Sequence, residues 1–178
     1  MVIDDSQIRY LAKMRNSVPH WNPERCREID IRIARDGTWY HEGSPIRRRR
    51  MVELFSALLR RESDGGYVIV TPVEKLRIQV EDVPFLAIDL EVEGKGEQQV
   101  LRFITQVGEK VAVDEEHGLR IESNPETQEP SPYLKVREGL EARIDRSTFY
   151  QLATVAEAWD GAFYVWSNGR RYRLGDME

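Results

Sequence analysis

DGTWYHEGSPIRRRRMVELFSALLRRESDGGYVIVTPVEKLRIQVEDVPF, residues 36–85, is the stretch whose reading decides the fold. It reads as a turn, a strand, one amphipathic helix and two further strands. The helix is expected from Arg47 to Arg61. Met51, Val52, Leu54, Phe55, Leu58 and Leu59 recur there at the i, i+3, i+4, i+7 spacing that gathers apolar side chains on one face. Asp64-Gly65-Gly66 breaks the helix, and the β-branched run Tyr67 to Val70 reads as a buried strand. Leu76, Ile78 and Val80 then alternate with Arg77, Gln79 and Glu81, the period of a half-buried strand.

Upstream, Asp4, Asp5 and Ser6 supply caps for a short helix carrying Ile8, Leu11 and Ala12, ended before Pro19. VPHWNPERC, residues 18–26, is a loop expected to pin itself to the body through Trp21. Ile29, Ile31 and Ile33 alternate as a strand, Asp36-Gly37 turns the chain, and Trp39-Tyr40 begins a return that Gly43-Ser44-Pro45 stops. Beyond Pro84 the pattern is all-β, with strands expected over 86–92, 100–105 and 111–113. NPETQEPSP, residues 124–132, is a Pro-rich connector. Strands at 133–137 and 140–145 follow, then a helix capped by Asp145 or Ser147. A strand at 162–166 and an Asn168-Gly169 hairpin close the chain.

The order of elements repeats. Ile46-x-Arg48-x-x-Met51-x-x-Leu54 aligns without a gap on Ile144-x-Arg146-x-x-Phe149-x-x-Leu152. Each helix is followed by Asp-Gly (Asp64-Gly65, Asp160-Gly161), an aromatic (Tyr67, Phe163) and an apolar strand. The chain is therefore expected to be α+β and duplicated, with two related ββαββ-type units at 1–80 and 81–178. The second unit has extra antiparallel strands, which favour a bent sheet or partial barrel because so many consecutive edges need closing.

Composition excludes several classes. With 31 acidic against 26 basic residues the formal net charge is -5, which argues against general nucleic-acid binding. The single cysteine, Cys26, cannot form an intramolecular disulfide and is expected to be partly buried. His20, His41 and His117 are too scattered for zinc, so no metal or cofactor is expected. No run approaches the ~18 apolar residues of a spanning helix, and the N-terminal stretch lacks the basic and apolar regions of a signal peptide. A cytoplasmic protein without a membrane partner is the expectation.

Four polar clusters could carry function. Arg47 to Arg50 put positive charge at a helix N-terminus, against the macrodipole, at ~0.3–1 kcal/mol per close charge. Acidic neighbours would offset this, or an anion such as phosphate held by Arg47 or Arg48. Thr71-Pro72-Val73-Glu74-Lys75, with Arg77 behind it, is a polar loop stiffened by proline. It serves either as binding groups or as a Glu74–Lys75–Arg77 ion-pair network. Asp82 caps a second rigid corner before Pro84-Phe85. Tyr133, Lys135 and Arg137 share one strand face, with Arg143 on the adjacent strand, and an arginine beside an aromatic can hold a base and its phosphate. No nucleophile elbow, glycine-rich phosphate loop or paired histidine motif occurs, so an enzyme is the less favoured reading.

These residues resemble a bacterial family of unknown function, the domain-of-unknown-function family numbered 1285. The resemblance rests on Asp36-Gly37-x-Trp39, Gly43-x-Pro45-Ile46, Leu54-Phe55 and, most specifically, Thr71-Pro72-Val73-Glu74-Lys75. Arg77-Ile78-x-Val80-Glu81-Asp82-x-Pro84-Phe85, Tyr133-Leu134, Arg137, Leu140-Glu141-Ala142-Arg143 and Phe149-Tyr150 extend it. It implies a duplicated α+β core whose second domain is superficially like a pleckstrin-homology fold. It also implies a binding site between the units, a nucleotide-like ligand and a role in bacterial signal transduction, with no established activity.

The reading that follows is a non-catalytic ligand-binding module in signalling, with its site at the interface of the two units. Thr71, Glu74, Lys75, Arg77, Asp82, Arg137, Arg143 and Arg48 are the expected contacts, and a nucleotide-like small molecule the expected ligand. The alternative is a protein-interaction adapter that uses an exposed strand edge and has no small-molecule ligand. A hydrolase built on Asp82, Glu74 or His41 would require those groups to converge.

Overall fold

Three-stranded antiparallel meanders are the building block of this chain. In the computed structural model, which describes residues 5–14, 18 and 20–177, five of them follow one another. Asp4 and Pro19, expected to bound the first helix, lie outside the described residues. By contact density the chain divides into two compact units, Met1–Pro84 and Phe85–Glu178.

In the first unit a short helix, α1 (Asp5–Met14), precedes β1 (Cys26–Ile33), β2 (Trp39–His41) and β3 (Ser44–Pro45). Helix α2 (Arg49–Ala57) leads to β4 (Leu59–Arg61), β5 (Tyr67–Val70) and β6 (Lys75–Val80). The two meanders join where β1 runs parallel to β6, giving a six-stranded sheet ordered β3-β2-β1-β6-β5-β4. Helix α2 buries Leu54 and Phe55, and Phe55 meets the fully enclosed Trp39 ring at 6.2 Å.

That helix is shorter than its apolar period predicts. It begins after Arg48, whose backbone is extended, and ends at Leu58. Leu59 to Arg61 leave the helix to pair with β5, and the Val70 N–H donates to the Leu58 carbonyl. Pairing gives these residues backbone partners while Leu58 and Leu59 stay buried, so tertiary contacts override the local period. Cys26, expected to be partly buried, is exposed.

The second unit repeats the sheet. β7 (Phe85–Glu93), β8 (Val100–Thr105) and β9 (Lys110–Ala112) form one meander. β10 (Leu119–Ser123), β11 (Pro130–Arg137) and β12 (Leu140–Ile144) form the next. β12 runs parallel to β7, so the order β10-β11-β12-β7-β8-β9 copies that of the first unit. This is the α+β, duplicated, strongly curled architecture expected, the second unit resembling a pleckstrin-homology half-barrel. Helix α3 (Arg146–Ala153) is capped by Asp145, whose carboxylate accepts from the Thr148 N–H at 2.7 Å.

A fifth meander, β13 (Glu157–Trp159), β14 (Ala162–Ser167) and β15 (Arg170–Asp176), makes a separate three-stranded sheet. Its hairpins turn on Asp160-Gly161 and Asn168-Gly169, each with positive φ at both positions, the geometry of the tightest hairpins. The second tip is plugged into the six-stranded sheet. The Leu101 N–H donates to Ser167 Oγ at 3.1 Å, Ser167 Oγ donates to the Val113 carbonyl at 2.6 Å, and Asn168 Nδ2 donates to the same carbonyl at 2.8 Å. Helix order thus aligns the α2 and α3 regions, whereas sheet closure aligns β1–β6 with β7–β12; both relations follow from the common meander.

Ser167→Ala should leave the buried Leu101 N–H without an acceptor and destabilise the second unit by about 1–3 kcal/mol. Urea unfolding monitored by near-ultraviolet circular dichroism checks this; unchanged stability would show that the plug contributes nothing.

Candidate functional site

The Thr-Pro-Val-Glu-Lys loop is held by its own first residue. Thr71 Oγ1 donates to the Glu74 carbonyl at 3.0 Å and accepts from the Glu74 N–H at 3.1 Å. Pro72 fixes φ between them, so Val73 stands out at 73% exposure on a stiff corner. The charged residues behind the loop do not pair with one another. Glu74 accepts both Nε and Nη2 of Arg27, at 2.9 and 3.1 Å, with Arg25 at 3.5 Å. These bonds, Arg27 foremost, hold its carboxyl below the ordinary value. Lys75 donates to Glu62 at 3.0 Å, Arg60 grips the same carboxylate, and Arg60 also reaches the Trp21 carbonyl at 2.6 Å. That last bond ties down the loop whose anchorage was expected from the indole.

Arg77 lies across Gly66, where a Cβ would come within 2.0 Å of its guanidinium, and clasps Asp64 at 3.0 and 3.4 Å. The Arg35 guanidinium stands 4.0 Å from the Asp82 carboxylate. Lys75 and Arg77 thus join separate ion pairs rather than one network with Glu74, because Glu62 and Asp64 on the β4–β5 connection each lie opposite one of them. Arg137 and Arg143 belong to the second unit. Arg143 sits opposite Tyr133 in the β11–β12 register, and Arg137 lies over the Phe85 ring at 5.4 Å and 3.9 Å from Glu109. Arg120, which sequence reading passed over, covers Tyr133 at 4.4 Å and binds Glu141 through Nε and Nη2.

Among the described residues of the first unit, a cavity of about 340 Å³ is lined by Glu28, Ile29, Asp30, Arg77, Ile78 and Gln79, and two others flank α2 and the Thr71 loop. One, of about 290 Å³, lies between α1 and the loop, lined by Tyr10, Leu11, Phe55, Leu58, Thr71 and Glu74 among others. The other, of about 280 Å³, lies at the start of α2. Its floor is apolar (Ile29, Ile31, Ile46, Met51, Phe55) and its rim carries Arg47, Arg48 and His41. The first turn of α2 contains no acidic residue, and Arg48 makes no side-chain cap, so cationic charge and the positive end of the dipole coincide there. Among the described residues Arg47 meets no carboxylate at ion-pair distance, while Arg49 pairs with Glu53 at 2.7 Å. His41, Glu74 and Asp82 each face different surroundings and do not converge. Among the described residues no group of His, Cys, Asp or Glu could hold a metal ion, and no helix is long and apolar enough to cross a membrane.

The fold and these side chains define a two-unit α+β protein of curled six-stranded sheets with ion-paired corners. The chain belongs to the DUF1285 family: residues 16–83 match its N-terminal domain of unknown function and residues 84–174 its C-terminal domain. It is similar to the crystal structure of a DUF1285 family protein from Silicibacter pomeroyi DSS-3, with 45% identity and a TM-score of 0.83 over 93% of this chain and 94% of that one. It is also similar to a DUF1285 family protein from Shewanella baltica OS155, with 27% identity and a TM-score of 0.54 over 70% and 90% of the two chains. None of the curated proteins compared with it matches.

Burial alone would raise the Glu62 carboxyl, but the bonds from Lys75 and Arg60 outweigh burial and hold it below its ordinary value. Its ionised form therefore stabilises the fold fully above the unfolded value of 4.5, and that contribution is lost as pH falls through the lower folded value. Glu62→Gln should cost about 1–3 kcal/mol at neutral pH, with a difference from the parent that shrinks below about pH 4.5. Urea unfolding at a series of pH values measures it; a difference independent of pH would refute the linkage.

Proposed function

We propose that this chain is a non-catalytic ligand-binding protein whose ligand is a small amphipathic anion of the nucleotide-like class. The supporting observation is the cavity at the start of α2, where an apolar floor meets two arginines and an uncapped helix N-terminus. A phosphate would sit against Arg47, Arg48 and the N–H groups of Arg49 and Arg50, the Met51 N–H being taken by the Arg48 carbonyl at 2.9 Å. A base or other flat apolar group would cover Ile29, Met51 and Phe55. The cavity's modest volume suits one ring system and one phosphate better than a dinucleotide. With no converging acid, base and nucleophile among the described residues, the site would read a ligand without transforming it, which is how a signalling receptor behaves.

A panel of nucleoside monophosphates and cyclic nucleotides in a thermal-unfolding assay tests the reading. A ligand at ~100 times its dissociation constant should add ~2.7 kcal/mol and raise Tm by several degrees. Arg47→Glu with Arg48→Glu, and separately Met51→Trp to fill the cavity, should each abolish the shift. No shift from any of the panel, or one that survives both variants, would overturn the proposal.

A further inference from the structure

The cavity between α1 and the Thr71 loop plays no part in the reading above. Its floor belongs to the core: Phe55, Leu58, Ile69 and Leu76 line it, none more than 3% exposed. Pro72 and Val73 wall it on the loop side, on a corner that Thr71 holds through both of its hydrogen bonds to Glu74. Tyr10 and Leu11 of α1 wall it on the other. Among the described side chains of that helix only Ile8 is buried, whereas Leu11 is half-buried and Tyr10 is 58% exposed. The apolar face of α1 thus stands over the core without closing on it.

The lining offers nothing with which to pair a charge. Its one ionised side chain, Glu74, is held by Arg27 through both carboxylate oxygens, with Arg25 at 3.5 Å. The Thr71 hydroxyl already donates to the Glu74 carbonyl and accepts from the Glu74 N–H. Gln7 and Tyr10, the remaining polar side chains, are exposed to water. An ion buried here would lose its hydration without gaining a partner, whereas covering the apolar floor is favourable. At about 290 Å³ the cavity is roughly twice the ~150 Å³ that encloses a benzene, and lies at the lower limit of drug-sized sites. A protein partner needs a footprint of about 800 Å² per side, which a recess of this size does not supply.

We infer that this cavity is a second binding site, for a small uncharged apolar molecule carrying one or two rings or a short alkyl chain. Such a ligand lies on Phe55, Leu58 and Leu76 and meets Leu11 across the gap, completing the packing of α1 on the body. Because the ligand binds the docked helix, occupancy favours docking by mass action and slows hydrogen exchange of the α1 amides. The α2 cavity differs in chemistry, since its rim is cationic, but Phe55 lines both. Substitutions that report on this cavity alone therefore belong at Leu11 and Val73.

Fluoronaphthalene is titrated into the full chain and followed by fluorine NMR, with octanol, octanoate and octylammonium as competitors. Saturable binding is expected, displaced by octanol but not by either ion at the same concentration. Val73→Trp, at an exposed corner that tolerates bulk, and Leu11→Trp each fill the gap from one side. Both should weaken binding about tenfold or more while far-ultraviolet circular dichroism stays unchanged. In the parent chain, saturating fluoronaphthalene should slow amide exchange in α1 several-fold. Absence of saturable binding, or competition by octanoate or octylammonium equal to that of octanol, would overturn the inference. So would unchanged α1 exchange, or binding that both tryptophan variants retain, which would place the probe elsewhere, the α2 cavity included.

Discussion

Parallel pairing between the first strand of one meander and the last strand of the next is the constraint on which each unit depends. β1 with β6, and β7 with β12, are contacts between segments far apart in sequence, and each turns two three-stranded ribbons into one six-stranded sheet. Isolated small ribbons are marginal in water, whereas a curled sheet with a covered face can bury Ile31, Ile33, Val68 and Leu76, or Phe85, Leu101, Phe103 and Ala142. In the first unit the same pairing sets the chemistry. The Lys75 N–H donates to the Arg25 carbonyl, and that register delivers Arg25 and Arg27 to Glu74.

Seen this way, the ion pairs behind the Thr71 loop are fasteners at the seam between meanders. Glu74 fastens β6 to β1, whereas Glu62 and Asp64 fasten it to the β4–β5 turn. Half-buried pairs of this kind contribute modestly to stability but penalise the wrong register, because a slipped strand would leave charges facing apolar neighbours. The Thr-Pro-Val-Glu-Lys block is therefore accounted for by the fold, while the α2 cavity is shaped by residues the fold requires less directly, Arg47 among them.

Much of this was legible in sequence. Period-two alternation located most strands, Asp145 announced its helix, and Asn168-Gly169 announced its hairpin. Repetition was visible through Ile46 to Leu54 and Ile144 to Leu152, but its unit was hidden. Short edge strands such as Ser44–Pro45 and Glu157–Trp159 leave too few residues to show a period, so a meander reads as a hairpin. Leu58-Leu59 looked helical because an apolar face continues through them; only β5 reveals why they turn into a strand. Pairing choices were less accessible still, since sequence cannot say that Glu62 waits across from Lys75. The Trp166–Arg171 pairing across β14 and β15 is the exception. Counting outward from Asn168-Gly169 places those residues opposite one another before any coordinates are known.

The shortness of the outer strands has a further meaning. The six-stranded sheets end in β3, with Pro45 and only two residues, in β4 and β9, with three each, and in β10, whose Arg120 and Glu122 are charged. Long, apolar ribbons occupy the middle, where both flanks are already hydrogen-bonded. A protein so rich in extended backbone runs a standing risk of polymerising into fibres, and truncated, proline-bearing or charged margins are how such sheets refuse a copy of themselves.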